Sequence, residues 1–227
     1  MEGQGRGLGR GLSISFDLDG TLTDLAFVDG VWNEGLPRLV GRSRGIALEE
    51  AMQLCMDAYR SEGEASIKWY QLSHWLDYFG LNHVDEEELI KGFIPRIKIF
   101  EDALRAVTHF KHKGYPLILF SNAPRPFLDK EVHYCSLGGY FDTIVSLPDD
   151  WGMVKSQGEA FVRLKSYVNS EVVHVGDHIL FDCEVPREAG VKAFHIWRGK
   201  GTRLHDSLES LDEFVDRIVC DQVEAFP

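Results

Sequence analysis

Leu12-Ser13-Ile14-Ser15-Phe16-Asp17-Leu18-Asp19-Gly20-Thr21-Leu22-Thr23-Asp24 is the stretch from which the rest of the chain can be placed. Leu12–Phe16 is a short apolar segment that runs straight into an aspartate, and Asp19-Gly20 is a common turn pair. Four more short apolar runs follow, at 116–120, Thr143–Ser146, 172–175 and 191–196. The intervening segments carry a helical period. In 101–113 the apolar positions Ala103, Leu104, Val107 and Phe110 share one face, and Gly114 ends the helix. Residues 154–168 repeat the pattern through Phe161, Leu164 and Val168, and 207–218 through Leu208, Leu211, Phe214, Val215 and Ile218. Strands alternating with helices predict an α/β fold, a Rossmann-like doubly wound parallel sheet covered on both faces.

One gap interrupts the alternation. The first two strands are separated by far more chain than the helix at 101–113 needs for a crossover. The surplus reads as helical at 48–59, 66–79 and 86–93, with Gly41, Gly63, Gly80 and Gly92 as punctuation. This predicts a flexible tail at 1–11, an α/β core from 12–23 and 97–227, and an inserted α-helical cap at 24–96. The linkers fall near 20–26 and 94–100. The tail holds five glycines and two arginines, and has no strand ahead of it to build a phosphate-binding loop.

The composition narrows the class. A chain of 227 residues, 44% hydrophobic and 26% charged, can bury a core, and disorder throughout is excluded. The longest apolar runs, such as 115–120, are too short to span a bilayer. A formal net charge of −12 repels phosphate backbones and anionic lipid, so neither nucleic acid nor a membrane surface is expected as a partner. Cys55, Cys135, Cys183 and Cys220 are widely spaced with no C-x-x-C pair, so reduced thiols are expected. With no basic-then-apolar leader at the start, the expected location is cytoplasmic.

In an open parallel sheet, ligands gather beyond the carboxyl ends of the strands. The first run ends in Asp17 and Asp19, the second in Ser121-Asn122, and the fourth in Gly176-Asp177 with Asp182 five positions on. Lys155 opens the helical pattern after the third. A turn at Asp19-Gly20 lets Asp17 and the Asp19 carbonyl face one cation, and Asp177 can complete an oxygen shell suited to Mg2+. Converging carboxylates repel one another unless a cation and Lys155 offset them.

Phe16 to Leu22, F-D-L-D-G-T-L, resembles the first signature of the haloacid dehalogenase superfamily. Leu119-Phe120-Ser121-Asn122 is similar to the second. Lys155 matches the third, although Ser156 stands where the family often has proline. Gly176-Asp177 with Asp182 matches the fourth, G-D-x-x-x-x-D. The four occur in the family's order over roughly 12–200, with the insert where one class of the family carries a helical cap.

The resemblance implies a Mg2+-dependent phosphatase of a small phosphorylated metabolite. Asp17 would be the nucleophile and form an aspartyl-phosphate; Asp19 would be the general acid and base. Mg2+ would be held by Asp17, the Asp19 carbonyl and Asp177. Ser121, the Asn122 backbone and Lys155 would hold the phosphoryl oxygens. Asp182 would orient either a metal-bound water or Lys155. A phosphomutase shares all four signatures. A haloacid dehalogenase uses the same nucleophile without metal but generally lacks the second aspartate. A catalytically silent binding or regulatory module on this fold would be expected to lose the nucleophile or the lysine, and both are present.

Other residues have plainer readings. Ser121-Asn122 alone is an ordinary strand-to-helix turn, and Lys165 competes weakly with Lys155 from mid-helix. His174, within a strand run, is expected to pack, and His178 either touches substrate or lines the loop. Most insert aromatics, including Trp69, Tyr70 and Trp75, read as cap core. Trp32 and Glu34, soon after the nucleophile loop, are the candidate substrate contacts of the cap.

Overall fold

The computed structural model describes residues 11–224, and only the backbone of 221–224. Apart from Gly11, the expected tail lies outside the described residues. The chain enters on β1 (Leu12–Phe16). A helical segment follows: α1 (Ala26–Asp29) widens into a π-turn (Gly30–Gly35) and continues as α2 (Leu36–Arg44). Next come α3 (Leu48–Glu62), α4 (Ile67–Tyr70), α5 (Leu72–Tyr78) and α6 (Glu86–Lys91), then a short 3-10 turn, Ile94–Arg96. The alternation resumes with α7 (Glu101–His112), β2 (Leu117–Ser121), α8 (Arg125–Tyr134) and β3 (Thr143–Ser146). It ends with α9 (Gly158–Val168), β4 (Glu171–Gly176), α10 (Val185–Glu188), β5 (Lys192–His195) and α11 (Leu211–Glu224).

The five strands form one parallel sheet in the order β3-β2-β1-β4-β5. This is the expected doubly wound α/β class. The central runs of β2 and β4 are largely apolar because helices cover both faces. Phe16 on β1 is fully buried and meets Phe110 of α7, Phe141 and Phe214 of α11 edge-on or tilted. On the opposite face Phe120 packs on Phe161 of α9. The chain reverses its direction of winding between β1 and β4, so their carboxyl ends open onto a crevice.

Several elements differ from the sequence expectation: the helix expected over 207–218 spans Leu211–Glu224, and 26–44, for which no helix is expected, is helical. The helix expected over 154–168 begins at Gly158, and Lys155 precedes it in a loop. The Lys155 N–H is taken by Asn122 Oδ1 at 2.9 Å instead of entering a helical ladder. The helix expected over 66–79 is two helices, broken where Gln71 is extended (φ −88°, ψ 105°). The chain leaving β1 and the chain arriving at α7 run side by side. Asp24 N donates to Lys98 O and Phe100 N to Leu22 O, both at 2.9 Å.

Candidate active site

Asp17 is the first residue beyond β1, and its N–H still bonds Val175 O of β4 at 2.9 Å. The chain then turns tightly, with Gly20 N donating to Thr23 O at 2.8 Å. Gly20 has a positive φ of 77°, and a Cβ there would collide with the Asp177 carboxylate. Gly176 has a parallel role: a Cβ on it would strike the Asp182 carboxyl. The two glycines therefore let two carboxylates close over backbone. Arg198 Nη2 holds the Thr21 carbonyl at 2.7 Å, and His195 Nε2 donates to the Asp177 carbonyl at 2.9 Å. The loops after β1 and β4 are thus fixed from β5 and the chain that follows it.

Asp17, Asp19, Ser121, Asn122, Lys155, Asp177 and Asp182 all line one cavity of about 370 Å³, a size common for small-molecule sites. Trp32 also lines it, in parallel contact with Phe127 (centroids 5.5 Å, planes 7° apart). Glu34 does not: two positions further along the helical turn it faces away and pairs with Arg96 and Arg38. The far wall is aromatic, with Tyr59, Trp69 and Tyr70. Tyr70 accepts from Asn122 Nδ2 at 2.9 Å and donates to Glu64 O at 3.0 Å.

Lys155 is buried and bridges two carboxylates, Asp17 Oδ1 at 2.5 Å and Asp182 Oδ1 at 2.7 Å. Burial alone would lower its pKa, but the two negative charges outweigh that and raise it. Burial would likewise raise Asp182; the Lys155 charge and the His174 hydrogen bond hold it below the usual range. Asp17 is pushed up to about 6, first by burial and then by the Asp182 charge, against the pull of Lys155. Asp177 is driven well up by burial and by Asp17 and Asp182.

The donor set fits a hard divalent cation. Oxygens of Asp17, Asp177 and Asp182 lie within 4.8 Å of one another, and the local excess of negative charge calls for a cation. Asp182 is the poorest ligand of the three. Its Oδ1 already accepts from Lys155 and His174, and its Oδ2 from His178 N at 3.0 Å.

Glu131, on α8, is absent from the sequence reading. It is fully buried and accepts from Thr23 Oγ1 at 2.7 Å. Its Oε1 and Asp19 Oδ1 are buried and receive no N–H or O–H donor, so one proton held between the two acids is the physical solution. Burial, then the Glu131 charge, raises Asp19 well above the usual range, and burial raises Glu131 to about 7. A carboxyl with a raised folded pKa costs stability once its unfolded form ionises. That cost grows from about pH 4.5 to pH 7. Glu131→Gln removes the charge and keeps an acceptor for Thr23. In EDTA it is expected to gain roughly 1–3 kcal/mol at pH 8 and almost nothing at pH 4. Urea denaturation at the two pH values measures this; an equal ΔΔG at both would refute the buried pairing of the acids.

The sequence pattern of the haloacid dehalogenase-like hydrolases matches residues 13–190. The chain belongs to the haloacid dehalogenase-like hydrolases. GMP/IMP nucleotidase YrfG of Escherichia coli is 28% identical over 134 residues, which is 59% of this chain and 59% of the relative's length. A HAD phosphatase from Thermococcus onnurineus superposes with a TM-score of 0.80 at 20% identity, over 91% of this chain and 97% of that one. The HAD-hydrolase YfnB from Bacillus subtilis, in a structure bound to magnesium, gives 0.67 at 16% identity over 92% and 99%. These two likenesses establish the shared fold. Among the described residues, no helix of this hydrolase is long and apolar enough to cross a membrane.

Proposed function

We propose that this haloacid dehalogenase-like hydrolase is a Mg2+-dependent, cytoplasmic phosphatase of small phosphorylated metabolites. The observation that carries the reading is the delivery of Asp17, Asp19, Ser121, Lys155 and Asp177 to one cavity from distant parts of the chain. In this reading the Asp17 carboxylate attacks phosphorus, forming an aspartyl-phosphate as the ester oxygen leaves. Asp19, held protonated by burial and by Glu131, gives the leaving oxygen its proton. It then takes a proton from the water that cleaves the phosphoaspartate. Ser121, the Asn122 backbone and Lys155 hold the phosphoryl oxygens, where charge stabilisation matters most as transfer proceeds. Asp17, the Asp19 carbonyl and Asp177 would hold Mg2+, which when bound offsets the repulsion between carboxylate and phosphate.

Residues 24–96 are assigned as the cap over a core of 12–23 and 97–227. The paired linkers near Asp24 and Lys98 and the aromatic wall contributed by Trp32, Tyr59, Trp69 and Tyr70 support this. That wall suits a planar leaving group, since ring faces stack on ring faces. Together with the nucleotidase activity named for the E. coli relative, it makes nucleoside monophosphates the first substrates to test.

Phosphate release should be assayed over nucleoside monophosphates, sugar phosphates and an aryl phosphate, with Mg2+ and with EDTA. Hydrolysis is expected with Mg2+ and at least about a hundred-fold less without. Purine nucleotides are expected to exceed small aliphatic phosphates in kcat/KM by about tenfold. No release from any ester with Mg2+, or equal release in EDTA, would overturn the reading.

A further inference from the structure

Ser15 and Asp17 leave β1 two positions apart and so project from the same face of the sheet. His174 stands beside Ser15 on β4, in register with it. Ser15 Oγ lies 2.9 Å from His174 Nδ1, and His174 Nε2 lies 3.0 Å from Asp182 Oδ1. A carboxylate only accepts, so Nε2 carries the proton and donates; Nδ1 is left to accept from the serine hydroxyl. Asp182 Oδ1 receives Lys155, Lys155 reaches Asp17, and the backbone from Asp17 back to Ser15 closes a ring. Every member is buried.

His174 is the surprising member. A central parallel strand asks for apolar side chains, and the imidazole sits among the rings of Phe120 and Phe161 (centroids 6.3 and 5.3 Å, planes 87° and 68° apart). A phenylalanine would suit that aromatic niche by packing alone. The imidazole adds two hydrogen bonds, and one of them ends on the carboxylate that holds Lys155. We propose that His174 is a positioning residue: through Asp182, which sets its tautomer, it fixes the Lys155 ammonium against the nucleophile, with Ser15 donating to its other ring nitrogen. The proposal rests on the roles assigned above to Asp17 and Lys155. Without the His174 N–H, Asp182 loses one of its three donors; Oδ1 is then held by Lys155 alone, and the ammonium shifts with it. Misplacement of such a group by about 1 Å costs up to about a hundred-fold in rate.

The test compares His174→Phe, His174→Gln and Ser15→Ala. His174→Phe is expected to lower kcat by about tenfold or more and to weaken competition by inorganic phosphate. His174→Gln, which keeps an N–H for Asp182, is expected to stay within about threefold of wild type, with Ser15→Ala between the two. The melting temperature of His174→Phe should not fall in step with kcat. Imidazole 15N spectra of the wild type should show the Nε2–H tautomer. A crystal structure of His174→Phe should show the Asp182–Lys155 contact lengthened. Wild-type kcat in His174→Phe, an Nδ1–H tautomer, or an unmoved Lys155 would each overturn the proposal. If the wild type hydrolyses no phosphate ester, the phosphatase reading fails by itself, and the spectra and the variant structure still decide the ring.

Discussion

Asp17→Asn is expected to lower kcat by at least about ten-thousand-fold while leaving the protein folded and able to bind phosphate esters. The amide has the shape of the carboxylate but not its negative charge, and its neutral oxygen is too weak a nucleophile to form the bond to phosphorus. Ser121, Lys155 and Asp177 remain in place to receive a phosphate. Folding should tolerate the change because Asp17 is held in two opposing ways. Lys155 favours its charge, whereas burial and the Asp182 charge disfavour it. The neutral amide loses both effects together. Acid quenching of the wild type during turnover of a 32P-labelled ester should trap label on the protein, labile to hydroxylamine. Asp17→Asn should trap none, and competition binding should still detect the ester. A variant that retained a tenth of the wild-type rate, or still acquired label, would remove Asp17 from the nucleophile's role.

The parts of this site that were legible in the sequence are those whose chemistry is tied to a strand end. A parallel strand covered on both faces is predominantly apolar, so the polar residue that closes such a run marks the sheet edge. Asp17, Ser121 and Asp177 all stand at that edge. The residues whose roles are not legible are polar groups made special by tertiary contacts alone. Glu131 lies in a helix beside the exposed Asp129 and His133 and looks like a surface acid; in the fold it is fully buried and takes the Thr23 hydroxyl. His174 interrupts an apolar run and reads as packing, because its partner Ser15 is on another strand. Lys155 was found by order, but its local structure was not. A helix starting there requires its N–H to go unclaimed, and Asn122 claims it from the end of β2. The segment from Ala26 to Arg44 is helical yet hides its period, since the π-turn at Gly30–Gly35 shifts the phase between the two α segments. The same phase separates Trp32, which faces the cavity, from Glu34, which does not.

Lys155→Met should damage stability and catalysis together, and pH should separate the two. Methionine fills the volume of the lysine stem but brings no charge to Asp17 and Asp182, the two carboxylates Lys155 bridges. Removing one partner from buried ion pairs costs about 3–5 kcal/mol, because the other charges stay buried without compensation. The pH dependence follows from the signs. Lys155 holds the Asp182 pKa down, so in the wild type that ionisation stabilises the fold above the ordinary carboxylate range and the benefit is lost as pH falls. In the variant nothing cationic holds Asp182 down, and Asp17, already raised to about 6, rises further. Both acids then ionise at a cost that grows between about pH 4 and pH 8. The stability deficit of Lys155→Met in EDTA should therefore be largest at pH 8 and shrink toward pH 4. Urea denaturation at the two pH values reads it directly. Catalysis should fall by about a hundred- to a thousand-fold even where the variant is fully folded, as for loss of a preorganised donor to developing negative charge. Lys155→Arg should not restore it. A planar fork cannot occupy the point between Asp17 and Asp182 that a compact ammonium fills. A deficit independent of pH, or full activity in the folded methionine variant, would mean that Lys155 neither offsets these carboxylates nor serves the phosphoryl group.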